Sequence, residues 1–266
     1  MEYLKFILYG LIQGLTEFIP VSSTAHLKII SLWFGIEDPG SSLSAIIQLG
    51  SVFAIFWYFR NDIFKFKIST SKNILDSFLF KKLSKSIIIG TIPIILIGGF
   101  IKIFIPYVLD SNLRSNSSIA IISLVMAFFM FLADISRNKF INLRNHNYVD
   151  SLLIGLAQAF AIIPGVSRSG VTISLALLLG WERKDAAKFS FLLGIPAILI
   201  AGFVQFIFSL NQFSNFSFLP LIICLTTTFF SSLFAIDFVI KYISSGGMKL
   251  FIYYRIIFGI SILLNL

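Results

Sequence analysis

Long apolar runs separated by short polar turns dominate the chain. Uninterrupted apolar segments cover roughly 44–59, 87–105, 118–135, 189–208, 219–240 and 250–265. At about 1.5 Å of rise per residue, the middle four reach or approach the ~30 Å of a bilayer's hydrocarbon core. The first and last hold 16 residues each, about 24 Å of helix, and need their flanking turns to cross. Two further apolar stretches are broken at their centres. Residues 3–18 and 27–36 flank Pro20-Val21-Ser22-Ser23-Thr24-Ala25-His26, and about 151–163 and 171–180 flank Pro164-Gly165-Val166-Ser167-Arg168-Ser169-Gly170. The second pair of arms would reach only about 20 Å and 15 Å as helices, so neither crosses alone.

Composition agrees with a membrane solvent. Of the 266 residues 57% are hydrophobic, 16% aromatic and 12% charged, about half the charge of an average soluble domain. Soluble enzyme, nucleic-acid module and secreted disulfide scaffold are poor fits. Cys224 is the single cysteine; it forms no internal disulfide and reads as a small core residue. The fold class expected is all-α, a polytopic membrane protein. The apolar N-terminal stretch reads as retained, because Gln13 and Glu17 interrupt it and no clean small-x-small cleavage site follows.

The net charge of +9 reports orientation, since Lys and Arg gather in cytoplasmic loops. Seven of them lie between Arg60 and Lys85, and Arg137, Lys139, Arg144, Arg183, Lys184, Lys188, Lys241 and Lys249 follow later turns. Residues 106–117 hold only Arg114, and 209–218 hold no charge. The first set is placed inside and the second outside. The broken stretch 151–180 then lies between two cytoplasmic loops, and 3–36 begins and ends outside. Both are expected to be re-entrant hairpins, with their tips enclosed by protein or by a water-filled cavity.

The hairpins also resemble each other. Gly10-Leu11-Ile12-Gln13 matches Gly155-Leu156-Ala157-Gln158 at an offset of 145, and Ser22 and Ser167 keep that offset. Leu49-Gly50 and Leu193-Gly194 recur at an offset of 144. The expectation is one membrane domain over 1–266, with halves at about 1–135 and 150–266. Each half would be a re-entrant hairpin plus three spans, the second copy inverted because each half crosses an odd number of times. Sites in such folds lie near the midplane, where broken helices meet.

Glu17, His26 and Arg168 sit in otherwise apolar hairpins, where a charge is costly unless paired or hydrated. Gln13 and Glu17 are four apart and share a helix face. Ser22, Ser23 and Thr24 add hydroxyls at the first tip. Ser167, Ser169 and Thr172 add them at the second, where glycine-flanked amides open a helix. An Arg fork and a helix N-terminus suit phosphate. A facing carboxylate suits it only with a divalent cation between them, so Glu17, with Gln13, is a candidate Mg²⁺ or Ca²⁺ ligand. Either Ser or His could be the nucleophile. The plainer alternatives are a structural Glu17–Arg168 ion pair and helix capping by Ser22, Ser169 and Thr172. Gln48 reads equally as interhelical glue or as support for the site; Asp237 reads as interfacial, and His146 as a loop residue without a role.

Gln13-Gly14-Leu15-Thr16-Glu17-Phe18-Ile19-Pro20-Val21-Ser22-Ser23-Thr24-Ala25-His26-Leu27 resembles the first signature of the bacterial undecaprenyl-diphosphate phosphatases, the bacitracin-resistance family. Pro164-Gly165-Val166-Ser167-Arg168-Ser169-Gly170-Val171-Thr172 resembles the second. Ile47-Gln48-Leu49-Gly50-Ser51 and Phe189-Ser190-Phe191-Leu192-Leu193 extend the likeness over nearly the whole chain. The resemblance implies hydrolysis of a C55 polyprenyl diphosphate to the monophosphate, recycling the cell-wall lipid carrier and conferring bacitracin resistance. It further implies a divalent cation, the bacterial inner membrane, a site opening to the periplasmic side, and often a homodimer. Carried over by position, Glu17 is the essential acid, Ser23 and His26 are the catalytic pair, and Arg168 binds the diphosphate with Ser167, Ser169 and Thr172. Two departures stand out. Gln13 occupies the first acidic position of the family's pair, and Ser44 stands where relatives often carry a glutamate four residues before Gln48. Topology alone would also suit a lipid or solute transporter or flippase, since inverted hairpins are a transporter signature.

Overall fold

The computed structural model describes residues 2–61, 74–105, 112–136, 140–208 and 218–265. Part of the loops whose charge sets the expected orientation, at 62–73, 106–111, 137–139 and 209–217, lies outside the described residues.

Each apolar run becomes a helix. In chain order these are α1 (Glu2–Phe18), α2 (Ser23–Trp33), α3 (Gly40–Tyr58), α4 (Ile74–Phe104) and α5 (Asn116–Ile135), then α6 (Tyr148–Ala159), α7 (Arg168–Leu178), α8 (Arg183–Phe208), α9 (Phe218–Gly246) and α10 (Lys249–Leu264). Helices within 79–104, 116–135, 183–204 and 218–246 are long and apolar enough to cross a bilayer. Their outer faces carry large apolar side chains in the open, among them Phe128, Phe203, Phe230 and Phe234, each more than 60% exposed. In water such a surface would aggregate; facing lipid tails it costs nothing. The chain is an all-α, multi-pass membrane protein.

The two broken stretches form helical hairpins, α1–α2 and α6–α7. Their turns occur where the sequence stops supporting a helix: Pro20 removes a backbone donor, and Pro164-Gly165 does so beside a glycine at φ +94°. Asn147 starts α6 through a capping box with Asp150. The first arms pack on distant helices, α1 along α9 and α6 along α4. These contacts explain the repeated G-L-x-Q. A Cβ on Gly10 would lie 2.6 Å from the Cys224 carbonyl oxygen, and one on Gly155 2.2 Å from that of Gly90. Only glycine lets either pair of backbones come so close. Among the described residues the largest apolar core joins α1, α3, α5, α6, α7, α8, α9 and α10 around Phe18, Phe189, Phe191 and Trp181.

At the end carrying Lys82 and Arg144, residues 140–147 fold against Trp181 and Glu182. His146 is buried there: its Nδ1–H donates to the Leu143 carbonyl (3.0 Å), and its Nε2 accepts from the Ser86 hydroxyl (2.7 Å). It is thus a structural residue of this loop. Asp237 pairs with Lys241 at 2.6 Å on an exposed helix face, as its place at a span end predicts. Cys224 is buried, as expected of a core residue.

Candidate active site

The hairpin tips meet. Glu17, at the last turn of α1, is 7% exposed. Its Oε2 accepts from Gln13 Nε2 and from the Ser23 hydroxyl, both at 2.8 Å, while Oε1 accepts from Arg168 Nη2 at 3.2 Å. One carboxylate therefore ties α1, the first residue of α2 and the first residue of α7 together. Gln13 reaches it because i and i+4 share a helix face. Ser23 reaches it because the Pro20 turn folds α2 back across the end of α1.

Arg168 is held from both sides. Nη1 donates to the Ser190 carbonyl at 3.2 Å. The space for the guanidinium exists because residue 194 lacks a side chain: a Cβ there would fall 1.9 Å from Nη1. The Leu193-Gly194 pair noticed in the sequence thus makes room for the site's cation. Thr172 donates to the Arg168 carbonyl (2.8 Å) and shares a 2.6 Å hydrogen bond with the Ser190 hydroxyl. Ser167 caps α7 by accepting from the Gly170 amide, and lies 3.1 Å from the Ser169 hydroxyl. Ser169 donates to the Glu17 carbonyl at 3.4 Å. The capping role belongs to Ser167; Ser169 ties the second hairpin to the first through the Glu17 carbonyl, and Thr172 ties α7 to α8 through Ser190.

Ser22 adopts φ +79°, the only left-handed non-glycine among the described residues. Such a residue costs roughly 1–2 kcal/mol and persists where its surroundings fix it. His26 supplies the fixing. The Ser22 carbonyl accepts from the His26 amide (3.2 Å) and from His26 Nδ1–H (2.7 Å). With Nδ1 protonated, Nε2 accepts from the Tyr254 hydroxyl at 2.7 Å. The ring stacks on Phe258 with centroids 4.1 Å apart. Both nitrogens of His26 are therefore engaged by Ser22 and α10, whereas the Ser23 hydroxyl points to Glu17. Ser22 places no side-chain cap on α2, so the first amides of that helix keep their donors.

A cavity of about 230 Å³ opens at this junction, the volume of roughly eight liquid waters. Glu17, Ser22, Ser23, Ser167, Arg168 and Gln48 supply its polar wall. Gln48 thus borders the site directly. The N-termini of α2 and α7 both begin at this wall, so two helix dipoles add to the Arg168 charge and favour an anion.

One residue escaped the sequence reading. Arg255 of α10 is fully buried. Nη1 donates to the Pro20 carbonyl (3.2 Å), Nη2 to the Gly165 carbonyl (2.7 Å) and Nε to the Ser123 carbonyl (3.3 Å). It clasps the turns of both hairpins from behind. Its signal was an arginine inside an apolar run, the criterion that singled out Arg168.

The fold and the site define a multi-pass membrane protein whose two helical hairpins meet at a polar-walled cavity. The profile of the family described as "Bacitracin resistance protein BacA" matches residues 6–261. The chain belongs to that family. A protein of Prochlorococcus marinus strain MIT 9515 named undecaprenyl-diphosphatase is 68% identical over the full length of both chains. Its namesake in strain MIT 9215 is 67% identical, also over both full lengths. The one in strain NATL2A is 46% identical over 98% of this chain and 95% of its own.

Proposed function

We propose that this protein hydrolyses undecaprenyl diphosphate to undecaprenyl phosphate and inorganic phosphate, returning the lipid carrier to cell-wall synthesis and conferring bacitracin resistance. The relatives' name supports the substrate. The observation that carries the chemistry is the Ser23 hydroxyl, hydrogen-bonded at 2.8 Å to a carboxylate in an anion-favouring cavity.

Ser23 Oγ is the nucleophile and Glu17 its base. As Oγ bonds to the terminal phosphorus, Glu17 takes the hydroxyl proton. The bond from that phosphorus to the bridging oxygen breaks, and Glu17 passes the proton to the departing polyprenyl phosphate. A water then loses a proton to Glu17, attacks the phosphoserine and releases phosphate, while Glu17 returns that proton to Ser23. Arg168 and the amides opening α2 and α7 hold the phosphate oxygens throughout, and this positioning supplies most of the rate. His26 acts one step back: it fixes the Ser22 backbone, and so the direction of Ser23.

Gln13 Oε1 is buried without a partner beside the Glu17 carboxylate. Both are hard oxygen donors that fit Mg²⁺ or Ca²⁺. Among the described residues no cluster of three His, Cys, Asp or Glu could hold a metal, so substrate oxygens would share the coordination. A cation there would neutralise charge on the diphosphate.

The halves 1–135 and 150–266 are read as an inverted repeat. Support comes from the exchanged contacts: α1 of one half lies on α9 of the other, and α6 on α4. Loop charge supports an orientation with the basic loops inside; the inner membrane and a site opening toward the periplasm are what the family resemblance implies. The test is phosphate release from purified undecaprenyl diphosphate by wild type and Arg168→Ala, with Mg²⁺ or EDTA. Metal-dependent release that falls at least a hundredfold in the variant is expected. Unchanged turnover in the variant would overturn the site assignment.

A further inference from the structure

The cavity has two unlike lips. Thr24, beside the polar wall, borders it and is exposed; Ala201 of α8 borders it and is exposed as well. A residue that lines a cavity and also reaches the molecular surface marks a mouth. Along the two helices that border the cavity there, apolar side chains face outward: Leu96 and Phe100 of α4, 65% and 55% exposed, and Phe203 of α8, 65% exposed. That surface faces lipid.

Both helices carry a proline just past their contact. α4 and α8 touch at Gly90, where an added Cβ would lie 2.9 Å from Leu193 Cδ1. One turn further each contains a proline, Pro93 and Pro196. A proline inside a helix removes a backbone bond and bends the axis. The cavity-lining residues follow at once, Ile94 after Pro93 and Ala197 after Pro196. The wall is also low: Ala197 and Ala201 carry only methyl groups, and Gly98 lies alongside Ile162, another lining residue.

Resting on the proposed function, we infer that the crevice between α4 and α8, past Ile94, Ala197 and Ala201, is the portal through which the polyprenyl tail lies while the diphosphate occupies the polar wall. The cavity holds a headgroup and has no room for a C55 chain. Each tail methylene is penalised in water, so the chain stays in hydrocarbon while its head is processed. An apolar lip continuous with a polar one provides for both ends of one molecule. The first isoprene units thus contact α4 and α8, and these residues set tail selectivity.

The experiment compares kcat/KM for undecaprenyl diphosphate and for farnesyl diphosphate in purified full-length protein. Ala201→Phe is expected to lower the long-to-short ratio at least tenfold. Val125→Phe, on the exposed lipid face of α5, is expected to leave it unchanged. An unaltered ratio in Ala201→Phe would overturn the portal. A wild type that cleaves neither substrate would instead overturn the functional reading beneath it. A second measurement does not depend on the variant folding. A polyprenyl diphosphate carrying a photoreactive group on its first isoprene unit is crosslinked to wild type and mapped. Label within 94–104 and 197–208 is expected. Label on the other apolar groove, lined by Phe128, Phe131, Ile252 and Tyr253 between α5 and α10, would overturn the proposal.

Discussion

The Ser23 hydroxyl donates to Glu17 Oε2 at 2.8 Å, and Arg168 approaches the other oxygen of the same carboxylate at 3.2 Å. Glu17 thus stands between the nucleophile of the proposed reaction and the Arg168 guanidinium, with one oxygen on each. Glu17→Gln preserves shape and loses the base. Phosphate release is expected to fall by roughly 10²–10⁴ in kcat, the range of a general-base contribution, with a much smaller change in KM. Steady-state assays in detergent measure both.

Gln13 presents a buried, unpartnered oxygen next to Glu17. Gln13→Glu adds a second carboxylate where only one now serves. Cation affinity rises with the number of charged ligands, so the Mg²⁺ or Ca²⁺ concentration giving half-maximal activity is expected to drop about tenfold or more. Because two carboxylates repel, the variant should also lose more activity than wild type in EDTA. A metal titration decides it.

Arg255 spans the Pro20 and Gly165 carbonyls, one from each hairpin turn. Hydrogen bonds to a charged group are worth about 1.5–3 kcal/mol each, and Arg255→Leu removes those to the Pro20, Gly165 and Ser123 carbonyls. A fall of several degrees in Tm is expected, with a loss of kcat. Arg255→Lys keeps the charge and loses the fork. It should recover most of the stability and only part of kcat, because a single ammonium cannot hold both turns. Thermal unfolding and turnover, measured side by side, separate the two contributions.

His146 lies outside the spans, and burial, with Lys82 nearby, holds its imidazole below the usual histidine range. The folded state therefore binds its proton less readily than the unfolded state. Stability from this group is complete above the unfolded value near 6.5 and declines as pH falls below it. Protonation also removes the lone pair that accepts from Ser86. Tm in detergent should drop between pH 7 and pH 5, and His146→Asn should flatten that slope.

Much of this architecture is legible from two physical rules. Apolar runs must match a bilayer, and the runs that failed to do so became the hairpins α1–α2 and α6–α7. A charge in such a run needs a partner, which points to Glu17 and Arg168 from the sequence alone. The same rule applied to Arg255 would have found it; a span counted as uninterrupted concealed it. The direction of His26 was not legible. Ser23 and His26 are three apart and so lie on one side of α2, yet the ring turns to Tyr254, 228 residues away in the chain. Only packing against α10 decides that. Gly194 was visible as half of a repeat, but that its missing side chain houses a guanidinium follows from the close approach alone.

The most direct measurement asks which side chain carries the phosphate. Wild-type protein is mixed with polyprenyl diphosphate labelled at the terminal phosphorus, quenched with SDS at neutral pH within one turnover, and mapped by mass spectrometry before and after acid treatment. An acid-stable label on Ser23, absent in Ser23→Ala, is the predicted result. An acid-labile label on His26, or full turnover by Ser23→Ala, would contradict the account.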